Sequence, residues 1–239
     1  MDNRNLAVLE SIARLGEEAT ARRIADEVTL PQATVYRRIT DLENLGLVER
    51  TGRRYRIGPR LFRLLAAGTS TSELANAVSP VLSGMAEAIG ETTFAARLVD
   101  KGVDLFKTCV PVNAKEAVVV PKQGLRPASI CSAAKAILAH VPGTLQREII
   151  VAAEPLFPDL PAKKADLLET EFDRIRNCGI AYCLGEEDPD LASVAVCTQL
   201  NGAFGQICVG VVGPRGRVMR KLETDLEETL RRHGAKVDI

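Results

Sequence analysis

The residues with the clearest chemical potential in this chain lie between positions 32 and 38. Polar side chains there are followed at once by two arginines. Such groups, projecting from the N-terminal part of a helix, can reach base edges and phosphates in the major groove of DNA. The candidate DNA contacts in this segment are Gln32, Ala33, Thr34, Tyr36, Arg37 and Arg38.

A second group of arginines follows this segment. Residues 47–50 and 54–57 alternate apolar and polar positions across a turn at 51–53, which predicts a two-stranded wing. Arg53 and Arg54 lie at its tip and are expected to contact the DNA backbone or the minor groove. Residues 1–60 carry 11 arginines against 9 acidic residues, although the whole chain has a formal net charge of zero. The basic surplus therefore falls where nucleic acid would bind.

Helices are needed to position these side chains. Residues 3–16 predict a first helix, and Thr20 is both an N-cap for a second helix at 21–28 and a further candidate DNA contact. Pro31 is expected in the first turn of a third helix, which runs over 32–45 and ends before Gly46. Helix, turn, helix and wing together predict a winged helix-turn-helix.

The remaining sequence predicts an α+β arrangement in which strands alternate with helices. The polar segment 69–72 marks the boundary, so the expected parts are a DNA-binding domain (1–68), a linker helix (69–90) and a C-terminal domain (91–239). Helices are predicted at 59–68, 73–89, 132–139, 144–151, 163–177 and 217–233, and strands at 93–99, 103–110, 117–120, 193–200 and 205–212.

Several classes of function are disfavoured by composition. The chain has no apolar run long enough to span a membrane and no signal peptide, so a cytoplasmic protein with free thiols at its six cysteines is expected. Only His140 and His233 are present, which argues against a histidine-rich metal site, and no cofactor is expected. The acidic run 186–188 is interpreted as a solvated loop.

The alternative function is a hydrolase or transferase domain fused to a DNA-binding module. Its nucleophile would be Cys131 or Ser132, with His140 as the base. On one helix these residues would be about 12–13 Å apart along the axis, beyond hydrogen-bond reach. The sequence therefore favours a binding domain over an enzyme.

Over nearly its full length the chain resembles the IclR family of bacterial transcription regulators. Three sets of segments carry the resemblance: 30–37; 124–127 with 133–139; and 179–181 with 186–187 and 211–214. The resemblance implies a winged helix-turn-helix, a linker helix and a C-terminal GAF-like effector-binding domain. It also implies a homodimer or homotetramer that binds pseudo-palindromic double-stranded DNA. The expected function is a regulator, most simply a repressor of a catabolic operon, controlled by a small-molecule effector.

The resemblance also implies an effector pocket. Its candidate residues are Phe106, Val118, Ile130, Cys131, Ser132, Ala133, Leu184, Ala192, Val194, Gly210 and Val212. Four polar pocket positions of the family are apolar here, at Leu184, Val194, Gly210 and Val212. In addition, the family's usual histidine before the helix at 132–139 and its glycine near the start of that helix correspond to Ser129 and Ala134. Cys131, Ser132 and the nearby N–H groups remain to hold a carboxylate. An apolar pocket with few polar anchors favours a larger or aromatic organic acid.

Overall fold

The computed structural model describes residues 3–68, 70–114, 116–159, 165–200 and 203–237. Its internal contacts fall into two compact units, one formed by residues 1–65 with 142–145 and the other by 66–141 with 146–239. Each unit has its own apolar core. None of the described helices is long and apolar enough to cross a membrane.

The first unit is a winged helix-turn-helix. Val8, Ile12, Ile24, Val35 and Ile39 come from all three of its first helices and are almost completely buried together. The two wing strands pair antiparallel. The elements are α1 (Asn3–Leu15), α2 (Ala21–Val28), α3 (Gln32–Asn44), β1 (Val48–Thr51), β2 (Arg54–Ile57) and the following α4 (Pro59–Gly68).

Local sequence signals set the ends of these helices. The Thr20 hydroxyl oxygen accepts a hydrogen bond from the Arg23 N–H at 3.4 Å, which caps α2 as expected. Thr29 ends α2 in the left-handed region, with φ 55°. Pro31 is the N-cap residue of α3, one position earlier than the sequence predicts, because its extended ψ of 137° precedes the first helical turn.

The second unit contains a six-stranded antiparallel sheet with the strand order β5-β4-β3-β8-β7-β6. The strands are β3 (Thr92–Val99), β4 (Gly102–Cys109), β5 (Gly124–Leu125), β6 (Ile180–Leu184), β7 (Leu191–Leu200) and β8 (Ala203–Pro214). The helices are α5 (Thr71–Ile89), α6 (Ser132–Leu138), α7 (Gly143–Ala153), α8 (Ala165–Cys178), α9 (Arg215–Leu222) and α10 (Leu226–Gly234).

The two faces of this sheet meet different helices. On one face, Val194 and Val209 belong to the same buried cluster as Val78 and Leu82 of α5 and Leu230 of α10. The opposite face contacts α6, which is buried along its whole length. Successive side chains of a strand point to opposite faces of the sheet. Each side chain therefore packs either towards α5 and α10 or towards α6.

Two predicted elements differ in the structure, and the strands β5 and β6 were not predicted. Residues 117–120 form no strand, and the Ala117 carbonyl accepts a hydrogen bond from Arg217 at 2.8 Å. The final helix is two helices, α9 and α10, because the chain turns at 223–225, where the Thr224 hydroxyl donates to the Lys221 carbonyl. The turn expected at 201–202 lies outside the described residues.

Candidate functional site

The first candidate surface is the exposed side of α3. Gln32, Ala33, Tyr36 and Arg37 are exposed at its N-terminal half, and Thr34 is half-buried beside them. The core-facing residues of the helix, among them Val35 and Ile39, hold this side outward. The structure thus brings together five of the predicted DNA contacts on one solvent-facing surface.

The two arginines of α3 differ in their surroundings. Arg37 is exposed, whereas Arg38 is half-buried and donates a hydrogen bond from Nη1 to the Asn5 side-chain oxygen of α1 at 3.3 Å. Arg38 therefore fastens α3 to α1. Of the two, Arg37 is the side chain that is placed to reach a phosphate or a base.

The wing presents further arginines. Arg53 and Arg54 are exposed at the tip of the β1–β2 hairpin. The Glu17 carboxylate lies 2.7 Å from Arg56 and 4.0 Å from Arg54, so it neutralises part of the wing's charge. Thr20 pairs with Arg54 in an isolated β-bridge, which attaches the N-terminus of α2 to the wing.

The second unit contains a cavity of about 420 Å³, partly open to solvent, on the α6 side of its sheet. Its apolar lining is formed by Phe94, Leu105, Val119, Val120, Pro121, Leu191, Ala192 and Val212. Its polar lining is formed by Lys122, Arg126, Cys131, Cys183, Glu187, Asp188 and Ser193. A cavity of this size with a few polar groups is typical of a small-molecule site.

Two of the predicted effector residues, Cys131 and Val212, line this cavity. Ala192 also borders it, but Ala192 belongs to the buried cluster on the α5 face of the sheet together with Val194. Ser132 is fully buried directly behind it, with its hydroxyl 2.6 Å from that of Ser193, which does line the cavity. Ser132 therefore positions a cavity residue.

The predicted residues Leu184 and Val194 face the wrong side of the sheet. Their neighbours Cys183 and Ser193 pair with each other and line the cavity, whereas Val194 lies in the core cluster against α5. Side chains alternate along a strand, so an alignment that slips by one residue moves a position to the opposite face. The expectation that Val194 lines the pocket is therefore wrong.

Five other predicted residues also lie outside the cavity lining. Phe106 packs in the cluster against α5, Ile130 is buried just before α6, and Ala133 is buried within α6. Val118 is half-buried next to the lining residue Val119. Gly210 is covered by a ring, since a Cβ there would come within 2.4 Å of Phe94 Cζ. The Phe94 ring thus fills the space that a side chain at position 210 would need.

The sequence prediction missed the charged groups of the cavity. Arg126, only 15% exposed, donates to the Glu187 carboxylate and, from Nη1, to the Lys122 carbonyl at 3.4 Å. Burial alone would lower the pKa of Arg126, but Cys131 and Glu187 outweigh it and raise that pKa. The cavity therefore contains a permanent cation beside an apolar surface.

A buried ion cluster holds the acidic loop next to this cation. Lys135 is fully buried, and its ammonium nitrogen lies 2.8 Å from both the Glu171 and the Glu186 carboxylates. Glu186 also accepts a hydrogen bond from the Leu184 N–H at 2.5 Å. The interpretation of residues 186–188 as a solvated loop is thus wrong for Glu186 and Glu187, because buried cations require these carboxylates as partners.

The cavity offers little for nucleophilic catalysis. Burial raises the pKa of the Cys183 thiol to about 11, so this thiol is neutral at pH 7. No histidine occurs among the described lining residues, and His140 follows the far end of α6 from Cys131. The nucleophile–base pairing that an enzyme would need is not formed by Cys131 or Ser132 with His140.

Comparison with known proteins agrees with this two-part organisation. The family model for the IclR helix-turn-helix domain matches residues 3–52, and the model for the bacterial transcriptional regulator IclR C-terminal domain matches residues 66–239. The HTH-type transcriptional regulator TtgV of Pseudomonas putida is 30% identical over 83% of this chain and 75% of its own length.

Two solved structures share the fold. An IclR transcriptional regulator from a Silicibacter species superposes with a TM-score of 0.62 at 19% identity, covering 96% of this chain and 92% of its own. An IclR homologue from Microbacterium hydrocarbonoxydans, complexed with 4-hydroxybenzoate, gives 0.53 at 20% identity, covering 98% and 97%. The matched models span both units, and the chain therefore belongs to the IclR family of transcription regulators, with an N-terminal helix-turn-helix domain and a C-terminal effector domain.

Proposed function

We propose that the protein represses a catabolic operon by binding a pseudo-palindromic operator, and that a small organic acid with an apolar or aromatic part controls this binding. Residues 1–68 bind DNA, residues 69–90 link the two parts, and residues 91–239 bind the effector. The observation that carries the proposal is the combination of an exposed recognition surface on α3 with an apolar cavity that contains a cation.

The recognition surface supports reading of DNA sequence. Gln32 and Thr34 lie at the N-terminal end of α3, the end that meets base edges when such a helix enters the major groove. Arg37 follows within one turn and can reach either a guanine or a phosphate. Arg53 and Arg54 add positive charge at the wing, where a backbone or minor-groove contact is expected.

A two-fold assembly is supported by the exposed apolar residues of α4. None of its side chains is fully buried, and Leu64 and Leu65 are 57% and 44% exposed. Neighbouring exposed leucines on one helix mark a contact surface. A homodimer or a homotetramer built on two-fold axes would present paired recognition helices to a pseudo-palindromic site.

The cavity supports an organic acid as the effector. Its lining places Arg126 and Lys122 beside Phe94, Leu105 and Val212, so a carboxylate and an apolar body can be held together. Its volume of about 420 Å³ suits a ligand of one ring with a few substituents. The 4-hydroxybenzoate complex of the similar Microbacterium hydrocarbonoxydans protein is of this chemical type.

Footprinting of the full-length protein on DNA from around its own gene tests the DNA-binding part. The proposal predicts a protected site with dyad symmetry and half-sites about one helical turn apart, or a multiple of it. Adding an aromatic monocarboxylate that binds the cavity should release that site. A footprint without a dyad would contradict the two-fold arrangement, and turnover of the acid would favour the enzyme alternative.

A further inference from the structure

We propose that Glu187 is an internal carboxylate that occupies Arg126 in the ligand-free protein, and that the carboxylate of the effector replaces it there. This inference rests on the proposed function, since it assumes that an organic acid enters the cavity. It goes further by naming the residue that recognises the acid group and the residue that competes with the acid.

Arg126 has the hydrogen-bonding capacity for such an exchange. Glu187 accepts from Nη2 of Arg126, whereas the buried Nε of Arg126 has no partner among the described residues. Nε and Nη2 lie on the same edge of a guanidinium, the edge that binds a carboxylate through two parallel hydrogen bonds. A ligand carboxylate on this edge would satisfy the unpaired Nε, which Glu187 does not.

The charges of the cavity explain why Glu187 must yield. Among the described lining residues, Lys122 and Arg126 are basic and Glu187 and Asp188 are acidic, so the formal charges cancel. A carboxylate that entered without displacing Glu187 would add a second negative charge next to the first. Two carboxylates beside one guanidinium repel each other, so the ligand and Glu187 compete for one cation.

The neighbouring ion cluster allows Glu187 to leave without unfolding the loop. Glu186 is fixed by Lys135 and by the Leu184 N–H, independently of Glu187. The backbone at position 187 thus keeps its attachment when the Glu187 side chain releases Arg126. The exchange needs only a side-chain movement, and the cavity lining around it stays in place.

The consequence is a pair of opposite effects on acid binding. Arg126→Gln should weaken the binding of a carboxylate by roughly tenfold or more, since it removes a charge-assisted pair of hydrogen bonds. Glu187→Gln should strengthen binding by roughly tenfold, because the competing carboxylate is gone. A matched neutral amide should lose little from either substitution.

Calorimetry on the full chain tests this directly, with benzoate, 4-hydroxybenzoate and phenylacetate as probes and their amides as neutral counterparts. The variants are Arg126→Gln, Glu187→Gln and, as a control, Asp188→Asn. Asp188 also lines the cavity, but its carboxylate accepts from the Asp190 N–H at 2.9 Å and is exposed. The expected order of affinity for an acid is Glu187→Gln, then wild type and Asp188→Asn, then Arg126→Gln.

The outcomes separate the two levels of the proposal. Equal acid affinity in wild type, Arg126→Gln and Glu187→Gln would overturn the exchange while leaving an acid effector in place. Absence of acid binding in all variants, Glu187→Gln included, would overturn both the acid effector and the exchange. Equal tightening by Asp188→Asn would show a general charge effect and contradict a specific competition. Glu187→Gln is expected to bind the acid more tightly than wild type, which a misfolded protein would not do. This variant therefore tests the exchange even if Arg126→Gln does not fold.

Discussion

The two units of the molecule differ in how deeply their described ion pairs are buried. In the first unit the ion pairs lie at the surface, and the side chains of Arg14 and Arg54 are 60% and 58% exposed. In the second unit Lys135 is fully buried with two carboxylates, and Glu91, only 1% exposed, pairs with Arg217. The second unit also carries exposed pairs, such as Arg231 with Glu227, but it adds buried charges of a kind that the described ion pairs of the first unit do not include.

This difference assigns different roles to the charges. An exposed ion pair contributes little to stability, so its arginine can exchange a carboxylate partner for a phosphate at small cost. A buried ion pair is costly to break, because removal of one partner leaves an uncompensated charge. Surface charges thus suit the binding of DNA. The buried charges instead hold parts of the chain that form the cavity: Lys135 holds the acidic loop at Glu186, and Arg217 holds the segment at Ala117.

The largest effect is expected at Lys135. Lys135→Met should destabilise the second unit by up to about 3–5 kcal/mol, because the half-buried carboxylates of Glu171 and Glu186 would lose the cation that they share. Calorimetric unfolding of the full chain measures this change. The triple variant Lys135→Met, Glu171→Gln, Glu186→Gln should recover part of the loss. The exposed ion pair of Arg56 with Glu17 serves as the comparison. Arg56→Ala should lower the free energy of unfolding by no more than about 1 kcal/mol.

The next effect concerns Arg37, the exposed arginine of α3. Arg37→Ala should weaken operator binding by about 1–3 kcal/mol if it reads a base, and should lower the slope of log affinity against log salt by about one if it contacts a phosphate. Filter binding or anisotropy across a salt series separates these cases. Arg220→Ala, an exposed arginine of the second unit, is the matched control and should leave both quantities unchanged.

A smaller and less selective effect is expected at the wing. The double variant Arg53→Ala, Arg54→Ala should lower affinity for operator and for random DNA in the same proportion, by about tenfold or less, because backbone contacts carry no sequence information. Competition with random DNA measures the ratio of the two affinities. A change in preferred bases at the operator would show that the wing reads sequence.

The smallest effect is a pH dependence that arises at His140. Burial and the positive charge of Arg176 lower its pKa from 6.5 to about 4. The unfolded chain therefore takes up this proton at a higher pH than the folded chain, and stability falls as pH drops from about 6.5 towards 4. His140→Gln should remove about 1 kcal/mol of that loss, after allowance for partial exposure. Unfolding midpoints of both proteins at pH 7 and pH 4.5 test this.

The sequence predicted the first unit more completely than the second. The pattern of Val35, Ile39 and Leu42, the cap at Thr20 and the stop at Gly46 are local signals, and the structure follows them. β6 is a short strand of five residues between Gly179 and Gly185 and was not predicted, and 217–233 lacks a glycine or proline near its break at 223–225. Local patterns therefore defined the helices and the wing better than the sheet edges.

The cavity required information that no local pattern contains. Cys131 and Val212 were found through resemblance, but Val194 and Ser193 differ only in which face of β7 they occupy. The pairing of Arg126 with Glu187 joins residues 61 positions apart, and the contacts of Lys135 likewise depend on the tertiary fold. These ion pairs form because the fold brings distant parts of the chain together. The spacing of the residues along the sequence does not indicate which of them will meet.

The division of roles between exposed and buried charges is tested most directly by measuring two affinities in the same full-length proteins. Operator affinity without ligand and affinity for the tightest-binding aromatic acid are determined for wild type, Arg37→Ala and Arg126→Gln. The account predicts that Arg37→Ala weakens only operator binding and that Arg126→Gln weakens only acid binding. It would be contradicted if Arg126→Gln reduced operator affinity as much as Arg37→Ala, or if Arg37→Ala impaired binding of the acid.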